Sequence, residues 1–166
     1  MTLPHRGTIL STIVVVALFA CSGWSKEPSL DPPDYISFHW LAQQPRPDAR
    51  TCVLLTTGEE IALDPGKIIG TEHFVRAYVS GSDDFVTVEL TDSGRSILAI
   101  ATKDRAGDRL AIVVADTIVA MPTLAGELNV PVISLMPQPS SAAARHFAAN
   151  LNAAITARQA TGAIQP

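Results

Sequence analysis

Apolar positions along this chain change period several times, and each change marks an element. Near the start an uninterrupted apolar run extends from Ile13 to Ala20. A membrane-spanning helix needs about 20 apolar residues and a signal-peptide core about 7 to 15, so the run has the length of an export signal. Further on, Ile36, Phe38 and Trp40 alternate with Ser37 and His39, which predicts a strand over Ile36 to Leu41, ended by Pro45 and Pro47. Strands are also predicted at Thr51 to Leu55 and around Ile61 to Leu63, the latter closed by Asp64-Pro65-Gly66. Phe74 to Val79 and Phe85 to Leu90, joined by Gly81-Ser82-Asp83-Asp84, read as a hairpin.

The second half is patterned more sharply. Thr91 and Asp92 are both N-cap candidates for a helix from Ser93 to Asp104, and Gly107 is available to stop it. Leu110 to Ala115 is apolar without alternation, as expected of a central strand covered by its neighbours. Asp116 turns the chain into a strand over Thr117 to Met121, which Pro122 ends. Val130 to Met136 is a last strand, where Pro131 marks a start or an edge that lies open. After Ser140 as N-cap, Ala144, Phe147, Ala148, Leu151, Ala154 and Ile155 recur at helical spacing, with Arg145, Asn152, Thr156 and Gln159 on the opposite side. The elements predict an α+β fold over residues 35–160, an antiparallel sheet with two helices on one face.

Composition narrows the class. The 166 residues suit one domain, and 47% hydrophobic against 17% charged residues allows a core and argues against a disordered chain. A net charge of -4 gives no general attraction to nucleic acid, and 5% aromatic residues are too few for base-stacking platforms. Residues 21–34 hold Pro28, Pro32 and Pro33 and read as an extended tether.

Little catalytic chemistry is visible. His5, His39, His73 and His146 are far apart and show no zinc-ligand spacing, and Asp83-Asp84 is first of all a turn. No nucleophile elbow, Walker loop or dinucleotide fingerprint is present, although a triad drawn from a distant Ser, His73 and Asp116 is left open by sequence alone. Thr102 reads as a hydroxyl bonded near a helix end, and Arg95, Arg105 and Arg109 as solvated partners of Asp104 and Asp108. Cys52 lies in an apolar stretch and reads as an inert core thiol. No cofactor, metal or catalytic residue is assigned.

Two resemblances add to this reading. Leu18-Phe19-Ala20-Cys21 resembles the bacterial lipobox, with Phe19 in place of the usual small residue. It implies a signal peptide over residues 1–20, acylation of Cys21, and, through Ser22, retention at the outer rather than the inner membrane. An ordinary cleaved signal or an uncleaved anchor is the alternative, in which case an oxidising compartment would permit a Cys21 to Cys52 disulfide.

The second covers Leu90 to Leu151. Leu90-Thr91 with Gly94, Leu98 and Thr102, then Gly107 with Leu110-Ala111-Ile112-Val113, then Pro122, Leu124 and Leu128, then Ser140 with Ala144, Phe147, Ala148 and Leu151, resemble without a gap the head subdomain of the first periplasmic domain of SecD. Phe74, Ala77 and Val79 resemble the segment before it, and Ile36-Ser37-Phe38 its first strand. The departures are Ala115-Asp116 for Asp-Gly, Pro131 and Pro137 for glycines, Pro139 for Phe, and Ala143 for an acidic residue. They stiffen a loop, so a partner surface there does not carry over. Together the two resemblances imply a non-enzymatic envelope module on the periplasmic side, lipid-anchored through Cys21. Its implied partner is unfolded polypeptide or an envelope protein, with a link to protein export. A small periplasmic hydrolase or ligand-binding domain is the alternative.

Overall fold

The computed structural model describes residues 34–44, 47–80 and 84–162. The export signal, Cys21, His5 and all but the last residue of the tether lie outside the described residues. Among the described residues the order is β1 (Ile36–Leu41), β2 (Arg50–Leu54), β3 (Glu60–Ile69), a 3-10 turn (Thr71–His73), β4 (Phe74–Ser80), β5 (Phe85–Leu90), α1 (Asp92–Thr102), β6 (Leu110–Val114), β7 (Thr117–Ala120), β8 (Val132–Pro137) and α2 (Ser141–Gly162).

The fold is α+β, as read from the sequence, and its strands are divided between two sheets. Strands β1-β3-β2-β7-β6 close into a barrel, while β4-β5-β8 form a separate antiparallel sheet. One barrel seam is parallel, with Val53 opposite Thr117 and Leu54 opposite Ile118. Helix α1 packs on β3 and β5, and α2 packs on β4 and β5.

Asp64-Pro65-Gly66 does not end β3, contrary to expectation. His39 pairs with Lys67 and Leu41 with Leu63, so a step of two residues on β1 answers a step of four on β3. The extra residues form a bulge that takes β3 around the barrel corner. Its first part, Glu60 to Leu63, pairs with β2, and its second part pairs with β1. Proline, which lacks a ladder donor, and glycine are the residues suited to such a corner.

Closure gives β1 and β6 two buried faces. Leu110, Ile112 and Val114 join the main core with Ile36, Phe38, Phe74, Val88 and Leu151, whereas Ala111 and Val113 join Cys52, Leu63 and Ile118 in a second cluster inside the barrel. The polar face of β1 is buried as well, with Ser37 1% and His39 3% exposed. Alternation on β1 thus separates two interiors rather than core from solvent.

The helix ends follow the sequence closely. Thr91 is the N-cap of α1, its Oγ1 accepting from the Gly94 N–H at 3.0 Å. The helix stops before Gly107, at Lys103, where Asp104 takes φ 61°. Gly107 instead turns the following connection with φ 91°, its N–H donating to the Leu124 carbonyl at 2.8 Å. Ala115 and Asp116 occupy left-handed conformations, φ 47° and 65°, in the tight hairpin turn between β6 and β7. Ser140 Oγ accepts from the Ala143 N–H at 3.2 Å, and Ala144, Ala148, Leu151 and Ile155 of α2 are buried. No helix of the described residues is long and apolar enough to cross a membrane.

Candidate functional site

The β4-β5-β8 sheet has two outer edges, and the molecule treats them differently. At β4 the carboxamide of Asn152 accepts from the Ala77 N–H and donates to the Ala77 carbonyl, each at 2.8 Å. Gln159 Nε2 donates to the Phe74 carbonyl at 3.3 Å. Helix α2 therefore supplies side-chain amides where a further strand would have supplied peptide groups. The sequence pattern had put Asn152 and Gln159 on the side away from the apolar stripe. Helical periodicity has no term for a polar strand edge, and that edge recruits them.

Among the described residues strand β8 pairs with β5 alone. Along it runs an apolar groove of about 840 Å³ between the two sheets. Four consecutive residues of β8, from Val132 to Leu135, line it. Since successive side chains point to opposite faces, four in a row place the strand's edge at the groove. Phe38, Leu110 and Ile112 lie buried at its base. The opposite wall is formed by β7 and the connection after it, including Val119, Met121 and Leu124.

That connection is held by its main chain. The Leu124 N–H donates to the Asp108 carbonyl at 2.8 Å, and Arg109 bridges to Thr123. The Leu128 N–H donates to Thr102 Oγ1 at 2.8 Å, while the Thr102 hydroxyl donates to the Leu98 carbonyl at 2.7 Å. Thr102 is fully buried, so its hydroxyl joins α1 to the groove wall and is closed to substrate.

The other residues singled out by sequence lie apart from one another in function. His39 Nε2 shares a hydrogen bond with Ser37 Oγ at 3.0 Å, and its Nδ1 is buried without a partner among the described residues. Burial, with the Arg50 charge second, lowers its pKa below the usual imidazole range. Cys52 is a free, buried thiol whose pKa burial raises against the opposing charge of Arg50. Asp116, the carboxylate of the open triad, pairs with Arg50. His73 Nε2 lies 3.6 Å from Glu72, and His146 is exposed on α2. Of the hairpin turn, Asp84 is described, with φ 54°, and residues 81–83 lie outside the described residues. Arg95 pairs with Asp92 at 3.9 Å. Arg105 pairs with Asp108 at 3.2 Å and stacks over Trp40 at 4.5 Å. Among the described residues no group of three or more His, Cys, Asp or Glu is arranged to hold a metal.

A charged network fixes the domain's entry. Lys67 Nζ lies 2.7 Å from Asp34 and 3.1 Å from Glu72, and Asp34 Oδ1 accepts from the Thr71 N–H at 3.2 Å. Burial alone would raise the Asp34 pKa, but the bond to Lys67 and its charge outweigh it and lower the value. The groove itself escaped the sequence reading, although Pro131 pointed to an open edge at β8.

Comparisons with known proteins agree with this architecture. A family model described as the SecDF P1 head subdomain matches residues 47–157. A search of curated proteins finds no match. Among solved structures, one described as a membrane component SecDF that enhances protein export is 12% identical, with a TM-score of 0.53 over 72% of this chain and 60% of that one. Another, SecDF in a super-membrane-facing form, is 13% identical, with a TM-score of 0.52 over 72% of this chain and 18% of that one. At these identities the likeness is one of fold. The family match spans well over half of the 166 residues, and the chain belongs to the SecDF P1 head subdomain family.

Proposed function

We propose that this chain is a non-enzymatic module that holds extended apolar polypeptide along the β8 edge, in connection with protein export. The observation that carries the reading is the contrast of edges: α2 covers β4, whereas β8 borders an apolar groove. An extended chain laid there would add main-chain hydrogen bonds to β8 and place alternate side chains against apolar walls, a mode with little sequence preference. Family membership supports the link to export and a position on the periplasmic side of the envelope. Within this reading residues 1–20 direct export, acylated Cys21 anchors the chain with the outer membrane favoured, and residues 21–34 give reach to the domain over 35–160. The partner is unfolded polypeptide or an envelope protein exposing such a segment.

The test is binding of labelled unfolded apolar peptides to the folded chain, with Val132→Lys against Val75→Lys. Val132 and Val75 are similarly exposed, 40% and 44%, on opposite edge strands. Saturable binding should weaken about tenfold or more in Val132→Lys and persist in Val75→Lys, because a charge in an apolar site costs far more than one on an open surface. Absence of binding, or enzyme-dependent hydrolysis of ester or peptide substrates, defeats the proposal. For the anchor, labelled fatty acid should be incorporated, and Cys21→Ser should remove the label.

A further inference from the structure

We infer that the groove selects the carboxyl-terminal end of an extended polypeptide, its terminal carboxylate meeting Arg109; the inference rests on the polypeptide-binding reading above. Among the described residues Arg109 is the one charged residue on the groove's lining, and it also borders the smaller cavity that Asp64, Arg105 and Asp108 line. It is exposed, and unlike its neighbour Arg105 its side chain has no hydrogen-bond or ion-pair partner among the described residues. In a chain of net charge -4, an arginine without a side-chain partner among the described residues, on an otherwise uncharged and apolar lining, is a local exception that asks for one anion.

The remaining chemistry of the groove narrows the occupant. A fatty acyl chain with an acidic head would match the apolar walls and the arginine. It would also cover the β8 edge with a ligand that can neither accept nor donate there, leaving main-chain groups dry and unpaired. A peptide satisfies that edge. A peptide bearing its charge on the terminal carboxylate keeps every side chain free to be apolar, whereas an internal Asp or Glu gives one up. Guanidinium and carboxylate pair in a planar, two-bond geometry that ammonium does not reproduce.

The experiment uses fluorescence anisotropy with one apolar hexapeptide in three forms: free acid, carboxamide, and carboxamide with Asp as the last residue. Each is titrated against the unchanged chain, Arg109→Lys and Arg109→Gln. The free acid should bind the unchanged chain about five- to tenfold more tightly than the carboxamide. Arg109→Gln should remove that difference while carboxamide binding persists, and Arg109→Lys should keep only part of it. Equal binding of acid and carboxamide to the unchanged chain overturns the inference and leaves the polypeptide reading standing. Full recovery by the Asp carboxamide also overturns it, by making any carboxylate sufficient. Failure of all three peptides to bind overturns the polypeptide reading itself.

Discussion

The carboxamide of Asn152 is bonded to both main-chain groups of Ala77, donor to acceptor and acceptor to donor, at 2.8 Å each. One side chain of α2 thus stands in for a peptide unit at the edge of β4. Removing it leaves both main-chain groups of Ala77 without that partner beneath a helix. Asn152→Ala should cost about 1 to 3 kcal/mol in denaturant unfolding, the range for two hydrogen bonds whose partners stay partly buried. Asn152→Asp should fall short of full stability too, because a carboxylate accepts from the Ala77 N–H but has nothing to donate to its carbonyl. Unchanged stability in both variants would show that water replaces the amide.

Gly94 sits where α1 starts against the 3-10 turn, and a Cβ there would lie 2.7 Å from the His73 carbonyl oxygen and 2.8 Å from its Cβ. Glycine to alanine inside a helix ordinarily stabilises by up to about 1 kcal/mol. Here the sign should reverse, with Gly94→Ala destabilising by about 1 to 3 kcal/mol from overpacking. Gly126, with nothing within 4 Å of the same position, is the control. Its alanine variant should stay within about 0.5 kcal/mol of the unchanged chain by thermal unfolding.

The stretches legible in sequence are those where local rules and the fold agree. Thr91 with Gly94, Ser140 and the Ala144 to Ile155 stripe were readable because a cap and a buried helical face are local patterns. Ser37 and His39 misled in a definite way: alternation shows that a strand has two faces, and only closure of the barrel decides that both are interior. The run Asp64-Pro65-Gly66 has turn composition, and the bulge uses the same residues to bend a strand that continues. Two sheets in place of one were hidden for a related reason, since β1 finds β6 and β2 finds β7 across more than sixty residues of chain. The groove depends on those pairings, so only the exposed edge implied by Pro131 could be read in advance.

Thr102 is a linking hydroxyl, donating to Leu98 and accepting from Leu128. Thr102→Val keeps the shape and strands the Leu128 N–H, which should cost about 1 to 3 kcal/mol. Thr102→Ser should restore most of that loss in the same urea titration. A loss in Thr102→Ser with none in Thr102→Val would assign the effect to packing of the methyl group instead.

His39 makes stability depend on pH. Its folded-state pKa is lowered, chiefly by burial and then by Arg50, so the unfolded chain binds the proton more readily. The contribution of neutral His39 is complete above about pH 6.5 and is lost as pH falls through the lower folded-state value. Unfolding free energy should therefore decline on acidification from pH 7 toward 5, and His39→Gln should flatten that slope whatever its effect at pH 7. An unchanged slope would assign the acid sensitivity to other groups.

The pairing of Ile36 with Val114, and of Val53 with Thr117, also orders events during synthesis. A chain leaving a ribosome or a translocation pore amino end first delivers β1, β2 and β3 long before β6 and β7, the two strands that close them. The β4-β5 hairpin has no such wait, since its partners are neighbours in sequence. Contacts so distant along the chain form late and slow folding. Until they form, Ile36 and Phe38 lack the layer that buries them. Because β8 follows β6 and β7, no fragment ending before Val132 possesses the groove, and a shortened chain exposes its apolar base without the strand edge that would discriminate among occupants.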